Sequence, residues 1–275
     1  MAQNKLKYIV LGSWRTGSTV LHESLEKHPD IKIAYEIFHE DSSINTSGMI
    51  DISDVMNNLF GKRKFDIEKS PFYCKYHKSN HSVLSQLPGN YLCLNQPLYK
   101  MVDYVFEKFN AFKIIYSQIN INDNIWNYLS LIKDLKIINT VRQNYFEILV
   151  SVLLAYKTNT WQKTEINQKI LDEKITIDRH LCDAFFYLTE FETEHYTSLF
   201  SDHDNITIDY NSLFSWDSTI EKVQKFLGVR HVKLPNKYYK RTDEKIKNLV
   251  ENYKELSDYF KNTKWKKFFD INILL

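Results

Sequence analysis

The sequence predicts an α/β fold: a P-loop-type central parallel β-sheet flanked by helices on both faces. Three observations carry that reading. Short apolar runs alternate with helix-length segments along the chain. The first run, Tyr8 to Leu11, meets Gly12 at once, and Gly17 follows five residues later ahead of a helix-forming stretch. No repeat, low-complexity tract or linker rich in Gly, Pro or Ser divides the 275 residues. Strands separated by helix-length segments build β-α-β units, whose parallel strands must be covered on both faces.

Strands are expected at 7–11 (KYIVL), 31–35 (IKIAY), 112–116 (FKIIY), 136–141 (KIINTV) and 205–209 (NITID). Helices are expected at 18–27, 95–109, 123–133, 144–156, 180–199, 217–227 and 243–261. Gly228 stands where the helix opened by Trp216-Asp217-Ser218 needs a left-handed cap residue. Residues 40–93 are the least regular stretch, first polar (DSSINTSG) and then aromatic and basic (FYCKYHK). They read either as a surface excursion or as an insert covering the substrate.

Composition bounds the rest. A chain that is 43% hydrophobic can bury a full core, and a single domain spanning 1–275 is expected. A formal net charge of +2 provides no global field for nucleic acid. No apolar run approaches the roughly 20 residues that span a bilayer, and no secretory leader is evident. Cys74, Cys93 and Cys182 are odd in number and lack a C-x-x-C pair. They read as thiols in a reducing compartment, which points to the cytoplasm. The sequons at Asn45, Asn80 and Asn205 carry little weight without a leader.

The segment "YIVLGSWRTGSTVL", 8–21, is a phosphate loop with one letter changed. In G-x-x-x-x-G-K-[ST] a lysine follows the second glycine, but this chain has Ser18 and then Thr19. Backbone N–H groups at a strand-to-helix turn attract an anion with or without that lysine. Arg15, inside the loop, supplies the cation, and its planar fork can grip two oxygens of a phosphate or sulfate. A metal-dependent kinase would also need a carboxylate at a buried strand tip. The candidate strands end instead in Tyr116-Ser117 and Val141-Arg142, and Asp209 comes late in the chain. The anion site is therefore expected to work without a metal.

A second constellation is "KIINTVRQNYFEILVSVLLAYKT", 136–158. Arg142 is at the carboxyl end of a buried strand, the edge where open α/β sheets bind ligands. Ser151, nine residues on, lies two turns into the next helix. The pair could converge on a second phosphate, although a helix serine is also a common packing residue.

With both segments in view, "RTGSTVL" resembles the 5′-phosphosulfate loop of sulfotransferases, and "VRQNYFEILVSVLLAYKT" is similar to their 3′-phosphate segment. The likeness is strongest to bacterial carbohydrate or glycolipid sulfotransferases of the trehalose-sulfating type, in which a loop arginine replaces the lysine. "FKIIYSQ", "AYKTNTW", "FLGV" and "LVENYKELSDYFKNTKW" extend it over most of the chain. The resemblance implies 3′-phosphoadenosine 5′-phosphosulfate (PAPS) as donor and 3′,5′-ADP as product. It implies Arg15, Thr16, Gly17, Ser18 and Thr19 around the phosphosulfate, and Arg142 and Ser151 at the 3′-phosphate. Lys240 and Arg241 are candidates for the adenosine end, and equally for a solvated basic loop. It places the catalytic base at Glu36 in "IAYEIFHE", with His39 as the competing base and Glu40 a solvated carboxylate.

Lys113 matches a lysine of the family and is expected either to reach the cleft or to pair with a carboxylate. Tyr73, Tyr76 and Trp161 are candidates to stack on a sugar. The chain departs from the family over 40–93 and at Tyr210-Asn211-Ser212, where the family has "YED". Both departures bear on the acceptor, which the resemblance implies to be a carbohydrate or glycolipid, a small alcohol being equally compatible with the residues. The competing classes are a small-molecule kinase with an altered P-loop and a non-catalytic nucleotide-binding scaffold.

Overall fold

A computed structural model describes residues 5–34, 36–38, 98–118, 124–158, 173–236 and 246–270. Four of the apolar runs form strands: β1 (Lys7–Gly12), β2 (Ala111–Ile115), β3 (Leu135–Val141) and β4 (Asn205–Asp209). They pair in parallel in the order β2-β1-β3-β4, so β1 is internal to the sheet. The helices are α1 (Ser18–Leu25), α2 (Leu98–Lys108), α3 (Asn124–Ser130), α4 (Tyr145–Thr158), α5 (Arg179–Leu199), α6 (Trp216–Leu227), α7 (Ile246–Leu249) and α8 (Tyr253–Phe260).

Alternation along β1 sorts the two faces. Tyr8 and Val10 enter a cluster with Leu21 and Leu25 of α1 and Ile220 and Val223 of α6. Ile9 and Leu11 pack on the other side with Val102 of α2, Trp126 of α3 and Tyr196 of α5. This is the three-layer arrangement that the alternating pattern predicts. A third cluster, away from the sheet, joins Phe146 of α4 and Phe186 of α5 to Phe260, Trp265 and Phe268 near the carboxyl end. Truncating a buried aromatic of this kind to Ala costs about 3–5 kcal/mol. Cys182 is buried and unbridged, and burial pushes its thiol up.

Local chemistry sets the helix ends. Asp178 caps α5, its side chain accepting from the N–H groups of His180 and Leu181. Gly228, at φ 74°, closes α6 with the Val229 N–H on the Gln224 carbonyl, as the sequence leads one to expect. No helix among the described residues is long and apolar enough to cross a membrane.

Two expectations are corrected. The run 31–35 makes one parallel bridge, Ile33 to Ala111, with hydrogen bonds from Ala34 N and to Lys32 O. It passes only the start of β2 and then turns, burying Ile37 and Phe38. Its apolar character reflects core packing and not a ladder. The helix expected over 243–261 is interrupted in its described part between α7 and α8. There the backbone at Leu249–Glu251 pairs with Ile175, and Asn252 bonds Ile177 in both directions. Those contacts take the groups a continuous helix would use for itself.

Candidate anion site at the carboxyl edge of the sheet

Strand register decides which loops meet. Gly12 pairs with Thr140 on one side and with Ile115 on the other, while Val141 pairs with Asp209. The loop after Gly12, Arg142, Tyr210 and the turn at Tyr116–Gln118 therefore leave one edge of the sheet side by side. That is the edge where ligands of open α/β sheets bind.

The loop after β1 is folded tightly against its neighbours. A Cβ on Gly12 would overlap the side chain and carbonyl of Thr140. Gly17, at φ 83°, is in left-handed backbone, and a Cβ there would overlap Leu213. The Thr16 hydroxyl is buried, donates to the Ser13 carbonyl at 3.0 Å and lies 2.9 Å from the Thr140 hydroxyl. Its side chain thus holds the loop together. Trp14 donates from Nε1 to Ser117 Oγ at 2.5 Å, tying the loop to the β2 side.

Arg15 has φ 57°, in the left-handed region that non-glycine residues seldom occupy. Its Nε donates to Ser151 Oγ at 2.9 Å, so a residue of the first motif and one of the second are in contact. Burial pulls its guanidinium down to about 10; the field of Tyr210 opposes this and that of Arg142 adds to it. The group is still a cation at neutral pH, and it lies within electrostatic reach of Arg142.

Arg142 leaves the tip of β3 with its side chain only 10% exposed. Its Nε and Nη2 donate to one oxygen of Glu147, Oε2, at 3.2 and 2.6 Å. The guanidinium carbon stands 4.2 Å from the ring centroid of Tyr210. Tyr210 also sits beside Gly17, so one ring lines both the loop and the strand-tip arginine.

On the β2 side, Lys113 is almost fully buried and donates from Nζ to Thr19 Oγ1 at 2.6 Å. The same ammonium is paired with Glu36, and the Gln118 amide donates to the other Glu36 oxygen. Of the two expectations for Lys113, pairing with a carboxylate is the one found, and the carboxylate is the candidate base. A carboxylate has about four acceptor positions, so two donors do not exhaust it.

The structure thus gathers Arg15, Thr16, Gly17, Ser18, Thr19, Glu36, Arg142 and Ser151 along one edge. His39, Lys240 and Arg241 lie outside the described residues, as do 40–93 with Tyr73 and Tyr76, and Trp161. Sequence reasoning overlooked Glu147, Gln118 and Trp14, and it filed Tyr210 under the acceptor. A signal for Tyr210 exists: it follows the strand 205–209 as Arg142 follows 136–141.

No family model matches the chain, and no curated protein matches it in sequence. Among solved structures it is similar to a sulfotransferase from Alicyclobacillus acidocaldarius, with 11% identity. The overlap covers 94% of this chain and 92% of that one, at a TM-score of 0.46.

Proposed function

We propose that this protein is a PAPS-dependent sulfotransferase, a single-domain cytoplasmic enzyme that sulfates a hydroxyl of a carbohydrate, glycolipid or small alcohol. The observation that carries the reading is the pair of arginines at one sheet edge. Arg15 and Arg142 follow different strand tips and lie within each other's field beside Tyr210, with Arg142 paired to Glu147 and Arg15 bonded to Ser151. Such a site suits a ligand with two separated anionic groups, which PAPS has at its 5′ and 3′ ends and ATP does not.

When bound, the donor supplies a sulfuryl group on a phosphate leaving group. The chain does the rest. Arg15, the loop N–H groups, Ser18 and Thr19 hold the 5′ end, and Arg142 with Ser151 holds the 3′-phosphate. Thr16 contributes through its backbone, since its hydroxyl is used within the loop. Glu36, beside Thr19 through Lys113, takes the proton of the acceptor hydroxyl. Lys113 and Gln118 fix the direction of that carboxylate. Fixed cations and N–H groups stabilise the charge that builds on the transferring oxygens.

A thermal-shift panel tests the reading. 3′,5′-ADP should raise the melting temperature more than ATP does, with or without magnesium, because a ligand of the native state stabilises it by mass action. A larger shift with magnesium and ATP would replace this reading with the kinase.

A further inference from the structure

An arginine meant to hold a phosphate loses much of its grip if it can rotate. The Arg142 guanidinium is held on two sides. Along one edge, Nε and Nη2 both donate to Oε2 of Glu147. One face lies on the ring of Tyr210 at 4.2 Å. An arginine has five N–H donors in a planar fork; two go to Glu147, which leaves three, on Nη1 and Nη2. No protein acceptor among the described residues takes them.

Glu147 is itself anchored. It is in the first turn of α4, where its N–H is accepted by Asn144 Oδ1 at 3.1 Å. Asn144 is buried and donates from Nδ2 to the Phe268 carbonyl at 3.0 Å. The chain of contacts Phe268–Asn144–Glu147–Arg142 therefore runs from the third hydrophobic cluster to the strand tip. Tyr210 also lies against the loop at Gly17.

We infer that Glu147 and Tyr210 are positioning residues for Arg142, turning the Nη1–Nη2 end of its guanidinium toward the 3′-phosphate of the nucleotide. They set the preference for a 3′-phosphorylated nucleotide without touching it. The inference rests on the donor assignment above.

The test is calorimetric titration of the whole chain with 3′,5′-ADP and with 5′-AMP at physiological salt. The readout is the ratio of the two dissociation constants, which isolates the 3′-phosphate. Glu147→Ala should cut that ratio about tenfold, the scale of one charge-assisted hydrogen bond, with 5′-AMP affinity unchanged. Tyr210→Phe should keep the ratio, because the ring face is kept, and Tyr210→Ala should lower it. If Glu147→Ala does not fold, Glu147→Gln carries the test, since it keeps the shape and weakens the anchor.

The sign is diagnostic. Removing a negative charge near an anion site should tighten anion binding by simple Coulomb attraction. A ratio that rises or holds in the Glu147 variants would overturn the inference and make the carboxylate a placeholder that the phosphate displaces. A wild-type protein with no preference for 3′,5′-ADP over 5′-AMP would defeat the donor assignment, and the inference with it. A wild-type preference that survives Glu147→Ala defeats the inference alone.

Discussion

The two halves of the sheet edge handle charge differently. Around the tips of β1 and β3, Arg15 and Arg142 lie within each other's field in a partly buried place, and Arg142 is paired with Glu147. On the β2 side Lys113 and Glu36 are paired, Gln118 adds a bond to the carboxylate and Thr19 accepts one from the ammonium. Two cations held close together suit an incoming anion. A balanced pair suits a neutral group such as a hydroxyl, whose proton can move to the carboxylate without a large change of field. On the proposed reading, one half binds the donor and the other reacts.

Variants can break that division, and the largest effect should come from the balanced half. Glu36→Gln keeps size and hydrogen bonding but removes basicity, so turnover should fall by about 10²–10⁴. Affinity for 3′,5′-ADP, measured by calorimetry, should survive. His39→Asn should cost far less. Turnover that survives in Glu36→Gln and vanishes in His39→Asn would transfer the role to His39.

Next comes Arg142→Ala, which should weaken 3′,5′-ADP by roughly 2–3 kcal/mol, as for a lost charge-assisted hydrogen bond. Titration with 5′-AMP should show much less change. Equal losses for both ligands would make Arg142 structural and erase the contrast between the halves.

Ser151→Ala should have the smallest effect, about 1 kcal/mol. It sharpens the comparison because Ser151 accepts from Arg15 while sharing a helix with Glu147. A loss confined to 3′,5′-ADP assigns the hydroxyl to the 3′-phosphate. Equal losses with 5′-AMP mean that it acts through Arg15.

Much of this was legible in the sequence, for identifiable reasons. The four strands are apolar runs ended by turn chemistry, and a parallel register then carries Arg15 and Arg142 to one edge. Gly12, Gly17 and Gly228 marked backbone that needed them. The run 31–35 misled because core burial and strand pairing both select apolar residues. The break before α8 was hidden because its cause is Ile175, far along the chain. The pairing of Lys113 with Glu36 was foreseen only as a class of contact, since nothing local tells a buried lysine which carboxylate it will meet. Glu147 is in sequence an acid in a helix first turn, favourable at any helix N-terminus, and only the geometry shows it bound to Arg142.

The backbone of Arg15 bears on how long a copy of this protein lasts. Left-handed backbone costs a residue with a side chain roughly 1–2 kcal/mol, and Arg142 adds repulsion to the same loop. An anion bound at the edge would offset that repulsion. The anion-free protein would then open more readily, and opened chains are what proteases cut. The nucleotide that raises the melting temperature would also be the one that slows digestion. On the proposed reading, cellular supply of the donor would then govern not only turnover but how many copies persist.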